Sequence, residues 1–242
     1  MIKILVLAGG FATRLYPLTL NKAKALLEFK GKPVITHVIN RVPQDTEVLI
    51  SVNKRFARDF EAWKKTVNRQ VKLCIENAES DGQKMGAVGA IDYWIRNLNI
   101  TEDLIIIAAD NYFESDLSDL IAFFNGKNTL IAVYDVGDKE KACRINEACQ
   151  VGLVILEGDR VIRLDEKPPR ATSSIVATGI YVLPARIFPI LSRYCREEKR
   201  DNLGGFIRYL LIKEPVYAYT LSGFWTDIGD AILKQKGAVP DS

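Results

Sequence analysis

One histidine, His37, serves the whole chain of 242 residues, so the usual zinc spacings cannot be built. Cysteine is nearly as sparse: Cys74, Cys143, Cys149 and Cys195 include no C-x-x-C pair. With 48% of its residues hydrophobic, the chain can bury a full core without disulfide or metal staples, and a reduced, cytoplasmic setting is expected. No apolar run approaches the roughly 20 residues of a membrane span. Ile2 to Leu7 is too short for the apolar part of a signal peptide and runs into Gly9 and Gly10 instead of a cleavage site. A surplus of one charge is also missing, since 33 Lys and Arg face 30 Asp and Glu, spread along the chain. That distribution argues against nucleic-acid and membrane partners, so an anionic ligand must be gripped locally. There is no internal repeat, low-complexity run or linker, and residues 1–242 are expected to form one domain.

What is present is an alternation of short apolar runs and amphipathic stretches. Ile2 to Leu7 reads as a buried strand, followed by a helix from Pro33 to about Arg41, a strand over Glu47 to Val52 and a helix from Arg55 to about Val67. Val71 to Ile75, Leu104 to Ala109 and Thr129 to Val133 are further strands, separated by helices over Gly86 to Leu98 and Leu117 to Phe124. This rhythm predicts an α/β fold: a mostly parallel sheet, helices on both faces, and a ligand crevice beyond the carboxyl ends of the strands. After Tyr134 the pattern turns antiparallel, with a hairpin of Gln150 to Leu156 and Val161 to Leu164 across Glu157-Gly158-Asp159. Ile175 to Leu183 is a strand, and helices run from Pro184 to about Tyr194 and over Gly204 to Ile212. Val216 to Leu221 and Phe224 to Ile228 read as a closing strand pair joined through Ser222-Gly223.

The segment Leu7-Ala8-Gly9-Gly10-Phe11-Ala12-Thr13-Arg14-Leu15 puts a glycine turn and an arginine directly after the first strand. A loop with little side-chain bulk lets backbone N–H groups approach phosphate oxygens, and the arginine can grip them bidentately. The same glycines could serve only the turn. The pattern is neither G-x-G-x-x-G nor the P-loop G-x-x-x-x-G-K-[ST], which disfavours dinucleotide and ordinary ATPase readings. Asp110 follows a buried strand, where side chains reach the crevice, and could ligate a metal or cap the next turn.

Residues 7 to 33, with Thr13-Arg14-Leu15-Tyr16-Pro17-Leu18-Thr19, Lys24 and Gly31-Lys32-Pro33, resemble the signature of the sugar-phosphate nucleotidylyltransferases. The resemblance implies a Rossmann-like three-layer α/β/α fold with a mixed central sheet. Residues 1–134 would form its nucleotide-binding part and residues 135–242 its sugar-phosphate-binding part. It implies that Leu7, Ala8, Gly9, Gly10 and Thr13 hold the nucleotide, that Arg14 grips the triphosphate, and that Lys24 lies near the α-phosphate. Two departures stand out: Ala12 where the family usually has glycine, and Ala23 where it commonly has proline. Ala12 is costly only if its backbone takes a positive φ.

Asp110, in an Ala109-Asp110-Asn111 strand end, and Asp227, in Trp225-Thr226-Asp227-Ile228-Gly229, resemble the family's two metal-binding aspartates and imply a Mg²⁺ cofactor. Asp165-Glu166-Lys167-Pro168 and Thr178-Gly179 resemble the sugar-side motifs, so Glu166, Lys167, Thr178, Gly152 and Asn111 are implied in binding sugar phosphate. Taken alone, that charged triplet reads as a solvated turn, and Gly152 as an ordinary hairpin glycine. Gln83 and Gly86 are implied on the nucleobase side, where the small residues Gly86 to Ala90 could equally serve close helix packing.

The whole resemblance spans residues 3 to about 232 and implies a minimal catalytic core that joins a nucleoside triphosphate to a sugar 1-phosphate, possible as a homo-oligomer. A metal-dependent glycosyltransferase is disfavoured because Asp110 is followed by Asn111 and Tyr112 instead of completing an Asp-x-Asp pair. A non-catalytic nucleotide-sugar sensor remains the alternative of another class. Neither base nor sugar is determined.

Overall fold

Apolar residues on both faces of a strand require cover on both sides, and the central strands here are of that kind. The computed structural model describes residues 2–126, 128–143, 149–198 and 200–235. Its first half contains β1 (Ile2–Leu7), a small β2–β3 hairpin (Glu28–Phe29 and Lys32–Pro33), α1 (Val34–Asn40), β4 (Val48–Asn53), α2 (Ala57–Lys64) and β5 (Lys72–Glu76). It continues through α3 (Ala87–Asn97), β6 (Asp103–Ala108), β7 (Asn111–Phe113), α4 (Leu117–Phe123) and β8 (Thr129–Asp135). The second half has β9 (Gly152–Glu157), β10 (Arg160–Glu166), β11 (Ile175–Leu183), α5 (Phe188–Glu197), α6 (Leu203–Leu211), β12 (Val216–Thr220), β13 (Trp225–Asp227) and α7 (Ile228–Gln235).

Nine strands form one sheet in the order β5-β4-β1-β6-β11-β8-β12-β10-β9, with β9 also touching β11. β5, β4, β1 and β6 are mutually parallel, whereas β11 runs antiparallel to both β6 and β8. The sheet divides the core in two. Ile4 and Val6 of β1 and Ile105 and Ile107 of β6 pack with α1, α2 and α4; Leu5, Leu104 and Ile106 face α3, α5 and α6. The expected three-layer α/β/α arrangement with a mixed sheet is therefore present, and strands from both halves of the chain share the sheet. Residues 236–242 of the expected domain lie outside the described residues. No described helix is long and apolar enough to cross a membrane.

Three expectations need correction. β12 and β13 do not pair: β12 lies between β8 and β10, so neither of its edges is open to β13, which pairs with β7 outside the main sheet. The helix expected from Arg55 begins as a 3-10 turn, because Asn53 accepts a hydrogen bond from the Phe56 N–H at 3.0 Å, and α2 ends at Lys64. Cys143 and Cys149 are joined as a disulfide, against the expected reduced state; a search for C-x-x-C overlooks a pair six residues apart. Cys74 and Cys195 are buried free thiols whose pKa burial pushes up to about 11.

The turn from α1 into β4 is held by one side chain. Arg69 donates to four carbonyls, those of Ile39 (3.3 Å), Val42 (2.7 Å), Pro43 (2.5 Å) and Thr46 (2.7 Å). Only a guanidinium spans such a set. Arg69→Met should lower unfolding stability by about 2 kcal/mol, seen as an earlier urea midpoint, and Arg69→Lys should recover little of it.

Candidate active site

The carboxyl ends of β1, β5 and β6 open onto a cavity of about 750 Å³, a size suited to a small-molecule ligand. Its floor is the loop after β1. Phe11 is anchored in the core beside Phe56, and Ala12 turns the chain with φ 47° and ψ 45°, in the left-handed region. The Ala12 carbonyl accepts from the Leu15 N–H at 2.9 Å and the Thr19 hydroxyl at 2.8 Å, which holds that turn in place. The departure from glycine at position 12 therefore falls where it is costly, at about 1 kcal/mol or more. The two neighbouring glycines differ in their reasons. A Cβ on Gly9 would stand 2.7 Å from Glu76 Oε1, whereas one on Gly10 would meet nothing within 4 Å. Arg14 crosses the rim and donates to Gln150 Oε1 at 2.7 Å.

Opposite this loop, three segments converge on one ammonium. Lys24 Nζ lies 3.0 Å from Asp110 Oδ2 and 3.3 Å from Asp227 Oδ1. Asp110 follows β6, and the Ile228 N–H binds its carbonyl at 2.9 Å, tying the end of β13 to the end of β6. The β7–β13 register places Asp227 opposite Asn111. Asp227 Oδ1 also accepts from the Gly229 N–H at 2.6 Å in the first turn of α7, where a helix end favours an anion. A side chain on Gly229 would press on Asp227 and Lys24, its Cβ 3.0 Å from Nζ.

Burial opposes the charge on Lys24, whose side chain is 14% exposed, but Asp110 and Asp227 outweigh it and raise its pKa. Burial likewise opposes ionisation of Asp110, and Lys24 with Lys167 outweighs it, leaving that carboxyl below its ordinary value. Lys24 and Asp110 therefore both stay charged at neutral pH. The donor set suits a magnesium ion bound to substrate phosphates: two hard carboxylates from separate segments, both within reach of a single cation position. No cluster of three or more His, Cys, Asp or Glu occurs among the described residues, so other coordination positions would fall to phosphate and water.

Leu7, Ala8, Gly9, Gly10, Thr13, Arg14, Lys24, Gly86, Asp110, Lys167 and Asp227 all line the cavity. The remaining candidates do not. Gln83 accepts from the Glu79 N–H at 2.9 Å and closes its own turn. Asn111 donates to the Ala108 carbonyl and accepts from Trp225 Nε1, both at 3.0 Å, so it joins β7 to β13 and sets the position of Asp227. Thr178 donates to the Ala132 carbonyl at 2.8 Å, inside the bulge between Ala177 and Ile180. Glu166 turns away towards Gly152 and Gly204, beside a separate surface groove, and burial raises its carboxyl pKa despite Lys167 and Arg208.

Several lining residues escaped the sequence reading. Glu76 stands at the end of β5, the kind of position that singled out Asp110; Lys84, Gln150 and Asp201 lie on turns with no motif to mark them. Gly86 belongs to the cavity for a packing reason as well, since at φ 76° its Cβ would stand 2.5 Å from the Arg200 carbonyl.

Two outcomes are expected. Ala12→Gly should stabilise the chain by about 0.5–1 kcal/mol in urea unfolding, because relief of the left-handed alanine exceeds the added chain entropy; a loss would contradict the strain. Because the Asp110 pKa is lowered, its contribution to stability is complete above the ordinary carboxylate pKa of about 4 and is lost below it; the raised Lys24 contribution lasts up to about pH 10. Asp110→Asn should therefore cost the same stability at pH 6 and pH 9, and less below pH 4.

The chain is similar to several known proteins along nearly all of its length. It is 26% identical to the bifunctional protein GlmU of Methanocaldococcus jannaschii, covering 93% of this chain and 50% of that one. It is also 26% identical to the mannose-1-phosphate guanylyltransferase catalytic subunit beta of Dictyostelium discoideum, covering 94% of this chain and 61% of that one. The chain thus spans about half to three-fifths of the length of these curated relatives. Its fold matches a UDP-glucose pyrophosphorylase from Acinetobacter baumanii with a TM-score of 0.75 at 20% identity, covering 98% and 92% of the two chains. The model of the nucleotidyl transferase family matches residues 3–233, and the chain belongs to that family.

Proposed function

We propose that this chain joins a nucleoside triphosphate to a sugar 1-phosphate, making a nucleotide sugar and releasing pyrophosphate. The observation that carries the reading is Lys24 held between Asp110 and Asp227 in a cavity floored by the glycine loop. Relatives named for mannose-1-phosphate guanylyl transfer support the sugar-phosphate half of it. In the reaction, a sugar-phosphate oxygen forms a bond to the α-phosphorus while the bond to the β-phosphate bridging oxygen breaks on the opposite face. The attacking oxygen is already anionic at neutral pH, so no general base is needed; His37, the only histidine, is engaged with the Phe29 carbonyl at 2.7 Å.

Positioning and charge do the remaining work. Backbone N–H groups of the Gly9 to Thr13 loop would cradle the triphosphate, Arg14 would grip its outer phosphates, and Lys24 would take the α-phosphate. Lys167, with its backbone at φ 45° on the cavity wall, would hold the sugar phosphate. Asp110 and Asp227 would hold magnesium, which when bound would supply charge neutralisation between the two polyanions.

The test is pyrophosphate release with a panel of nucleoside triphosphates and sugar 1-phosphates. Lys24→Ala and Asp110→Ala should each lower kcat by about a hundredfold or more with an unchanged circular dichroism spectrum. Arg14→Lys should also be damaging, because an ammonium cannot replace a planar fork. Turnover that survives both charge deletions would contradict the assignment, and a wild type that binds nucleotide sugar but releases no pyrophosphate would favour the sensor reading.

A further inference from the structure

Arg14 and Gln150 meet across the cavity rim although 136 residues separate them. The 3-10 turn Thr13–Leu15 fixes the backbone of Arg14, and its guanidinium donates to Gln150 Oε1 at 2.7 Å. Arginine has donors only, so the amide must present its oxygen. That oxygen is neutral: it orients the guanidinium and leaves its charge, with its other N–H donors, for an anion.

Gln150 is itself held through a covalent bond. Its neighbour Cys149 is buried and joined to Cys143, which ends the 3-10 turn Lys139–Ala142. Ala142 and Cys149 lie in the core layer that also holds Leu153 and Val176, with Cys143 packed against it. The Cys149 N–H donates to the Pro168 carbonyl at 3.0 Å, next to Lys167 on the cavity wall. On its other side Gln150 leads into β9, where Gly152 is paired with Glu166. Opening the disulfide would remove the covalent anchor and leave Cys149 to its hydrogen bond with Pro168.

Resting on the proposed triphosphate site, we infer that Gln150 is a positioning residue for Arg14 and that the Cys143–Cys149 disulfide keeps it in that role, so that triphosphate affinity depends on the redox state of this pair. With the disulfide intact, Arg14 is ordered before substrate arrives, and binding is spared the cost of ordering a rotamer-rich side chain. A dithiol reductant reverses this. One of its thiolates attacks a sulfur of the pair, the S–S bond breaks to give a mixed disulfide, and its second thiol resolves that intermediate. Cys143 and Cys149 end as thiols, with two electrons and two protons from the dithiol, which ends as a disulfide. Cys143 is half-buried and Cys149 fully buried, so Cys143 is the side open to attack. Once the anchor is gone the ligand must order Arg14 itself, which corresponds to about twofold to tenfold in affinity.

Isothermal titration calorimetry of the full chain tests this, using inorganic tripolyphosphate, ATP, GTP, CTP and UTP, each with magnesium. The air-oxidised chain is compared with the chain held in excess dithiothreitol, and alkylation with mass spectrometry reports the state of each cysteine. Reduction should weaken every ligand that binds by about twofold to tenfold. In pyrophosphate release the loss should fall on KM for the triphosphate, with kcat little changed. Gln150→Met, close in length but without the acceptor, should bind with the reduced-state affinity in both redox states. Cys143→Ser should do the same, and Gln150→Met decides the matter if that variant does not fold. Equal affinity of the two wild-type states, or free thiols at Cys143 and Cys149 in the oxidised chain, would overturn the inference while leaving the triphosphate site standing. So would a Gln150→Met chain that still loses affinity on reduction, which is the pattern of a disulfide with only a structural role. A folded chain that binds none of these ligands in either state would overturn both.

Discussion

One ammonium held by two carboxylates is the contact on which the cavity depends. Lys24, Asp110 and Asp227 come from three distant segments, separated by 86 residues on one side and 203 on the other. Without Lys24 two half-buried carboxylates would stand side by side with no cation between them, so the contact helps hold the early loop, the end of β6 and the end of β13 together. On the proposed function Lys24 would take a phosphate when substrate arrives, and Asp110 and Asp227 would hold a divalent ion that supplies charge neutralisation. The groups that the proposed reaction would need are thereby gathered in one place before substrate binds.

The parallel half of the sheet explains why these groups meet. Because β4, β1 and β6 run in register, their carboxyl ends stop at the same edge. Gly9, Glu76 and Asp110 each occupy that edge, and the crevice beyond it is where open α/β sheets bind ligands. The antiparallel half contributes differently. Lys167 leaves β10 in a left-handed turn that carries it to the cavity, while Glu166 beside it is directed into the packing around Gly204.

Much of this was legible in the sequence because short-range signals coincide with the structure. Ile2–Leu7 and Ile175–Leu183 are strands over the residues their composition indicated, and the loop after β1 forms the cavity floor. The misses arise where long-range packing decides. No local pattern shows that β12 is flanked on both edges, so its neighbour β13 had to find β7 instead. Asn111 and Thr178 have the polarity of ligand-binding groups, and only the structure shows that each also bonds a backbone carbonyl and that Asn111 accepts from an indole N–H. Glu76 was readable by the strand-end logic that picked out Asp110, yet only its burial and its bond from Ser51 Oγ, which in turn accepts from Trp94 Nε1, set it apart from an ordinary charged strand end.

The most direct measurement is the anomalous scattering of manganese in crystals soaked with Mn²⁺ and a nucleoside triphosphate. The account predicts one strong peak bonded to both Asp110 and Asp227, with Lys24 drawn off the carboxylates onto phosphate. A peak bound elsewhere, or triphosphate bound with the Lys24 contacts unbroken and no metal between the aspartates, would contradict it.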